Sequence, residues 1–508
     1  MYVDGWTSTI IANIMYMVYI PLLFFPLVFF IILRRPTKLE TDNLPGPGSH
    51  FGFGSFLSNL RFLYMGIPEA ASYYSKKYGD FVRVWIGGEP TYLITRPSAA
   101  WYILKSNGNN YCKRFGNDTG LSHIGMFENG IIWNNDVTAW KTQRGYFQKS
   151  LNADVLNRAS AITVEATNRQ ILRIGDFQKR AADGRIDALD FIRRITLDVT
   201  NTLMLGVHIQ DDEDVVNRIV KYFKSWEYFL IKPPVLYWLT SAEYKKHIKS
   251  IDRLNEAIGA MVEKKRATLE SMRNEGKSLP TDFATNLIEA ERRKEITMAN
   301  VKQCVLEMLL AGTDTSSVTM YYLLVSIASN PDVETRLLNE MDQVLGNRDP
   351  CKADLPKLVY LEQALKESMR YKPVGPVVMR KAIEDDVIEG FDTPKGTNVV
   401  LNLAQMHRRP EIFKHPNDFN PENFSEKLDQ QQFVPFGTGP KGCIGQFLAM
   451  VEMKVFFCVF LRRYRVVNFA DKSLNDIQTR WDIAQQPTGE SFMYFVERAK
   501  NSDTTSDV

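Results

Sequence analysis

Cys443 lies in the run Phe436-Gly437-Thr438-Gly439-Pro440-Lys441-Gly442-Cys443-Ile444-Gly445, just ahead of the apolar stretch Phe447-Leu448-Ala449-Met450-Val451. Glycines let a backbone turn tightly and approach a flat ligand closely. The apolar stretch predicts a helix, so the sulfur would face backbone N–H groups and a helix N-terminus, both of which favour a thiolate. Taken alone, the run fits a Gly-rich turn with an incidental cysteine equally well.

A second constellation sits in Thr297–Asn330, a stretch that reads as one long helix ended by Asn330-Pro331. Its middle, Ala311-Gly312-Thr313-Asp314-Thr315-Ser316-Ser317, interrupts an apolar pattern with a glycine, an acid and several hydroxyls. Mid-helix glycine costs about 1 kcal/mol against alanine, and a carboxylate in apolar surroundings costs more unless paired or protonated. A structural reading is a kink at Gly312, with the hydroxyls bonding back to the helix backbone. A functional reading is a gap: Ala311 and Thr315 share a face and leave room for a small ligand beside an alcohol and an acid.

Two pairs at helical spacing complete the set. Trp140 and Arg144 fall on one face and can donate to a carboxylate, or form a surface cation–π pair. Glu367 and Arg370, three apart, can pair on their helix. The turn Asp418-Phe419-Asn420-Pro421-Glu422-Asn423-Phe424 offers an acid that could join them.

The elements that must position these groups are mostly helical. Phe81–Gly88 and Thr91–Thr95 read as a β-hairpin around Gly-Gly-Glu-Pro, and Val377–Arg380 and Asn398–Asn402 as strands. The fold class is therefore mainly α with small β-sheets, in one catalytic domain over residues 51–500. Ahead of it, Ile10–Leu33 is 24 residues without a charge, long enough to cross a bilayer. Arg34, Arg35 and Lys38 follow, which places the bulk of the chain on the cytoplasmic side. A cleaved signal peptide fits less well, because Asp4 leads the run and no positive charge does. Residues 1–9 then form a lumenal N-terminus, 10–33 the transmembrane anchor, and 34–50 a basic stop and Pro/Gly-rich hinge. The apolar residues Phe51, Phe53, Phe56, Leu57, Leu60, Phe62 and Leu63 fit either core or a second membrane contact, and core is the assignment preferred. The polar end, 501–508, is read as a disordered tail.

The 508 residues carry a formal net charge of +3, with no basic tract of the kind that binds nucleic acid. Five cysteines without a C-x-x-C pair argue against a disulfide framework and against a structural zinc site.

In order, the anchor, the Pro-rich hinge, W-x-x-x-R, A-G-x-D-T, E-x-x-R, P-E-x-F and F-x-x-G-x-K-x-C-x-G resemble the cytochrome P-450 superfamily of haem-thiolate monooxygenases. The runs Tyr111–Gly116, Glu128–Ile132, Gln303–Leu309 and Met379–Ile388 are similar to those of the aromatases, the oestrogen synthases. The resemblance implies a cytochrome P-450 fold preceded by one transmembrane helix, with haem b as cofactor and Cys443 as axial ligand of its iron. It implies that Arg114, Trp140, Arg144, Arg380 and Lys441 hold the haem propionates, and that Glu367 and Arg370 brace the proximal side. Asp314 and Thr315 would deliver protons during oxygen reduction; loss of hydration beside a steroid favours the neutral, donating form of an Asp. The pocket would be walled by Ile132, Trp133, Phe223, Trp226, Ala311, Val377, Met379 and Ile483, with Arg193 near the access path.

The implied reaction is three oxidations of an androgen C19 methyl, with loss of formate and aromatisation of the A ring. The alternative is a related steroid or lipid hydroxylase that does not complete aromatisation. Electrons would come from NADPH–cytochrome P-450 reductase, docking on a basic proximal face that includes Lys441, at the endoplasmic reticulum membrane. The chain departs from the family at Thr313, where the aromatases carry proline, at Gly375-Pro376, at Ala484, and at Lys441, where arginine is usual. These departures point to a divergent, invertebrate-type member.

Overall fold

The computed structural model describes residues 44–47, 53–206, 212–231, 234, 237, 240–469, 473–482 and 484–499. The expected anchor at 10–33, most of the hinge, Ile483 and the tail at 501–508 lie outside the described residues. Among the described residues no helix is long and apolar enough to cross a membrane.

Helices α1 (Phe53–Met65) and α2 (Ile67–Tyr78) lead into strands β1 (Phe81–Ile86) and β2 (Glu89–Ile94). The predicted hairpin is present, but its turn is Gly87-Gly88 alone, and Glu89-Pro90 already belong to β2. Then come α3 (Val137–Ser150), α4 (Ala153–Leu172), α5 (Ala188–Leu205), α6 (Asp212–Ile231), α7 (Ser241–Asn274), α8 (Phe283–Arg292), α9 (Met298–Ala328), α10 (Pro331–Leu345) and α11 (Val359–Tyr371). Strands β3 (Val377–Lys381) and β4 (Asn398–Asn402) follow, and α12 (Gln446–Phe460) comes after the cysteine loop.

The main sheet has the order β1-β2-β4-β3. Strands β2 and β4 are parallel, with Leu93 opposite Val400. Strands β4 and β3 are antiparallel, with Met379 opposite Val400 and Arg380 opposite Val399. A helical chain with small sheets is thus what the patterning predicted.

Helix α9 is the axis of the fold. Thr297 caps it in a reciprocal box with Asn300, which satisfies two orphan groups at the helix start. It packs against α5, α7, α8, α10, α11 and α12, and is buried nearly all round, as a helix apolar on every face must be. The helix runs unbroken through Gly312. Gly312 serves close packing: a Cβ there would stand 2.7 Å from Oγ1 of Thr200 on α5.

The assignment of 51–63 to the core is corrected by α1. Phe62 is buried, whereas Phe56, Leu57, Leu60 and Leu63 are exposed. Only one face of α1 meets β1, where Ser58 Oγ accepts from Trp85 N–H at 3.0 Å and donates to the Trp85 carbonyl. Two turns later the chain reaches α2, so the opposite face has nothing to pack against among the described residues.

Candidate active site

The cysteine loop is held by its own backbone. Cys443 N–H donates to the Phe436 carbonyl at 2.8 Å, and Gly437 N–H to the Val434 carbonyl at 2.9 Å. Gly439 takes a positive φ, and a Cβ there would stand 1.8 Å from the Leu104 carbonyl oxygen; no other residue fits. Burial pushes the Cys443 thiol up from its ordinary range, while the N–H groups of Gly445 and Gln446 and the charge of Arg144 act the other way. The loop therefore presents the sulfur just before α12 with donors aimed at it, as its sequence implied. Cys443 is nevertheless exposed amid the protein packed around it, so it faces a space bounded by the chain.

Around that space stand four cations. Helix α3 carries Trp140 and Arg144, and Arg144 Nη2 donates to the Gly442 carbonyl at 2.7 Å. Strand β3 carries Arg380, and a bridge between Lys113 and Lys381 brings Arg114 beside it. Lys441 Nζ lies 4.1 Å from the Trp140 ring centre and 3.2 Å from the Asn134 carbonyl oxygen. Burial lowers the pKa of Arg114 to about 10, with Glu307 opposing and Arg144 adding, and that of Lys441 to about 6, with Arg114, Arg380 and Arg144 adding. Arg380 is lowered by burial and then by Arg114. Among the described residues no carboxylate pairs with any of the four, and the buried Nε of Arg114 and Nε1 of Trp140 have no partner. Among the described residues Glu307 acts on the cluster from a distance, through Arg114; buried cations short of counter-charge are costly, so the cluster suits a further anion. The propionates of a haem ligated by Cys443 would supply two negative charges here, so the residues present fit that group.

Lys441 points inward, over Trp140. Its ammonium sits beside the other three cations.

The middle of α9 has an open stretch of its own. Ala311 and Thr315 are exposed in a helix otherwise buried along that stretch, which is the gap their spacing predicted. Thr315 Oγ1 donates to the Ala311 carbonyl at 2.7 Å, and Thr319 Oγ1 to the Thr315 carbonyl at 2.9 Å. The hydroxyls thus do bond back to the backbone, without breaking the helix. Thr196 Oγ1 donates to the Thr313 carbonyl at 2.8 Å, so α5 takes up an acceptor at this position.

Asp314 is fully buried and ion-paired. Arg193 on α5 approaches its Oδ1 through Nε at 3.0 Å and Nη2 at 2.8 Å. Gln486 Nε2 donates to Oδ2. The strand Ala484–Pro487 is held in place by the Tyr322 hydroxyl, which donates to the Gln485 carbonyl at 2.8 Å. Arg193 is thus brought to the acid itself. An ionised carboxylate accepts hydrogen bonds and donates none; in this arrangement Asp314 is an acceptor.

Of the expected pocket walls, Trp133, Trp226 and Phe223 form one aromatic group. Trp133 meets Trp226 edge-on at 6.4 Å, and Phe223 stacks on Trp226 at 5.9 Å. Arg114 lies 5.7 Å from the Trp133 ring centre and so ties this group to the cations. Met379 is buried on β3, next to Arg380, while Ile132 and Val377 are half-buried. Two residues were missed. Gln486 has no sequence signal, since it reaches Asp314 from 172 positions away. Glu307 does have one, because it stands two turns before Asp314 on the same helix. Its Oε2 accepts from the N–H groups of Ile131 at 2.6 Å and Ile132 at 3.1 Å, which fixes that wall of the site.

The Glu367–Arg370 pair is fully buried and bidentate, at 2.7 and 2.8 Å. Arg370 also donates to the carbonyls of His407, His415, Pro416 and Asp418. The acid expected from the 418–424 turn does not join. Asn420 N–H and Asn423 Nδ2 reach Glu367 instead, and Glu422 pairs with Arg336 at 2.6 Å, because the turn faces the brace with backbone and amide groups.

The family model for Cytochrome P450 matches residues 44–493. Aromatase of Equus caballus is 43% identical over 454 residues, covering 88% of this chain and 87% of its own. Aromatase of Taeniopygia guttata is 40% identical over 483 residues, covering 94% of this chain and 92% of its own. A zebrafish cytochrome P450 solved with progesterone shares the fold at a TM-score of 0.72 and 22% identity, covering 87% of this chain and 99% of its own. A cysteine loop beside a cluster of four cations and the match along nearly the whole chain lead to one conclusion: the chain belongs to the cytochrome P450 family, is a haem-iron monooxygenase, and has aromatases among its relatives.

Proposed function

We propose that this monooxygenase converts androgens to oestrogens by three oxidations at the C19 methyl with aromatisation of the A ring. The observation that carries this reading is the extent of its likeness to aromatases, 40 to 43% identity over about nine-tenths of the chain. Haem b, when bound, supplies the iron that activates oxygen, and Cys443 donates electron density to it. Arg114, Trp140, Arg144, Arg380 and Lys441 hold the propionates. Thr315 faces the gap beside Ala311 and hands on protons there, with Asp314 behind it. Trp133, Phe223, Trp226, Ile132, Val377, Met379 and Ile483 enclose the steroid, and Arg193 orients Asp314. Glu367 and Arg370 hold the proximal side together.

NADPH–cytochrome P-450 reductase provides the electrons. The protein sits in the endoplasmic reticulum membrane by its segment 10–33, and the exposed apolar face of α1 suits contact with lipid near that anchor.

A second reading, a steroid or lipid hydroxylase that stops before aromatisation, is favoured by one observation. Asp314 is held by Arg193 and Gln486 as an acceptor, whereas polarising a steroid ketone requires a donor. Titrating the haem-loaded protein with androstenedione and with fatty acids, while following the haem absorption band, tests substrate class. A saturable shift with the androgen alone supports the first reading, and a shift with the fatty acid alone overturns it.

A further inference from the structure

The Glu–Arg brace and the cysteine loop are far apart in the chain, yet one side chain joins them. His407 follows the short helix Leu403–Met406 after β4 and is fully buried. Its carbonyl accepts from Arg370 Nη1 at 3.2 Å. Its ring Nε2 accepts from the N–H of Val434 at 3.1 Å. Val434 in turn accepts from Gly437, and Phe436 from Cys443. The path therefore runs from Glu367 through Arg370 and His407 into the two backbone bonds that shape the loop under the sulfur.

The surroundings fix the ring. Phe433 lies 4.8 Å from it, and Phe424 packs tilted against Phe433 at 4.7 Å. Phe413 closes the group beneath Arg370 at 5.1 Å. Accepting through Nε2 requires a neutral imidazole with its proton on Nδ1. Burial and the adjacent Arg370 enforce that form, pushing the ring down to about 3.

We propose that His407 is a positioning residue for the thiolate loop, its Nε2 holding the Val434 N–H so that the proximal brace sets where Cys443 stands. This rests on Cys443 as the haem ligand. Without His407 the Val434 N–H is an unpaired buried donor, and such a group draws in water or shifts the backbone. The loop then loosens, and the sulfur takes up a proton more readily than the native thiolate.

Two isosteric variants separate this role from simple packing. In His407→Gln the side-chain oxygen stands near the position of Nε2; in His407→Asn it stands near that of Nδ1. The haem-loaded proteins are reduced, exposed to carbon monoxide, and read for the fraction of thiol-type rather than thiolate-type absorption. Hydrogen exchange of the peptide spanning Phe433-Val434 is measured in parallel. The Asn variant is expected to show a several-fold larger thiol-type fraction and about tenfold faster exchange, and the Gln variant to stay near native in both. Equal behaviour of the two variants in spectrum and exchange would overturn the proposal. A His407→Leu protein with native spectrum and exchange would do so as well. If the native protein itself gave no thiolate-type spectrum, the ligand assignment of Cys443 would fail instead, and the exchange measurement would still decide the role of His407.

Discussion

Arg193 and Asp314 form an ion pair between α5 and α9, Nη2 to Oδ1 at 2.8 Å, with the carboxylate side chain wholly buried and the guanidinium nearly so. Removing one partner of such a pair strands the other charge, at a cost of roughly 3 kcal/mol or more. Arg193→Leu is therefore expected to be strongly destabilised and Asp314→Asn less so. The double variant should recover part of the loss. Denaturant unfolding of the four proteins checks this through the coupling energy; additive losses would mean that the pair is not energetically linked.

Thr315 is exposed on α9, while its hydroxyl is parked on the Ala311 carbonyl. Thr315→Ala keeps the helix and removes the alcohol. The expected result is uncoupling: NADPH consumption persists while product per NADPH falls about tenfold or more, within the usual range for a lost proton-transfer group. Stoichiometry of NADPH, peroxide and product measures it.

Lys441 is pushed down to about 6 chiefly by burial, with Arg114 and Arg380 adding to the effect. In the haem-free protein it is thus a net liability at neutral pH, and in the haem-loaded protein a partner for an anion. Lys441→Met should stabilise the haem-free form by about 1 kcal/mol and at the same time speed haem loss. Thermal unfolding of the haem-free protein and haem transfer to an acceptor globin read the two signs separately.

Glu452 on α12 is buried, and its Oε1 has no partner. Burial raises its pKa from 4.5 to about 8, with Ser316 opposing weakly. A folded pKa above the unfolded one gives stability that is fully present below the unfolded value and lost as pH rises through the folded one. Between pH 4.5 and about 8 the native protein should lose stability relative to Glu452→Gln, with a slope of up to about 1.4 kcal/mol per pH unit. Urea unfolding of both proteins across that window checks the sign.

Local spacing carried much of the site into the sequence. The cap and extent of α9, the facing pair Ala311 and Thr315, the Glu367–Arg370 pair and the Trp140–Arg144 face all follow from separations of three or four on one helix. The cysteine loop was legible because glycine and proline restrict a backbone strongly. What was not legible depends on packing between distant segments. Gln486 reaches Asp314 across the chain, His407 meets Val434, and Lys441 turns toward Trp140. Likewise, nothing in the composition of α1 says that Ser58 would meet Trp85 on β1 and Phe62 would stack on Tyr74 of α2. Arg193 was tied to the site by resemblance, but its contact with the acid needed the α5–α9 crossing that Gly312 permits.

The central claim is that this site carries an androgen through to an aromatic ring. Incubating the purified haem-loaded protein with reductase, NADPH and androstenedione, and analysing the products by mass spectrometry, tests it most directly. Formate and a phenolic steroid are expected in equal amounts, with the C19 alcohol appearing only transiently. Accumulation of the C19 alcohol, with neither formate nor a phenolic steroid, would contradict it.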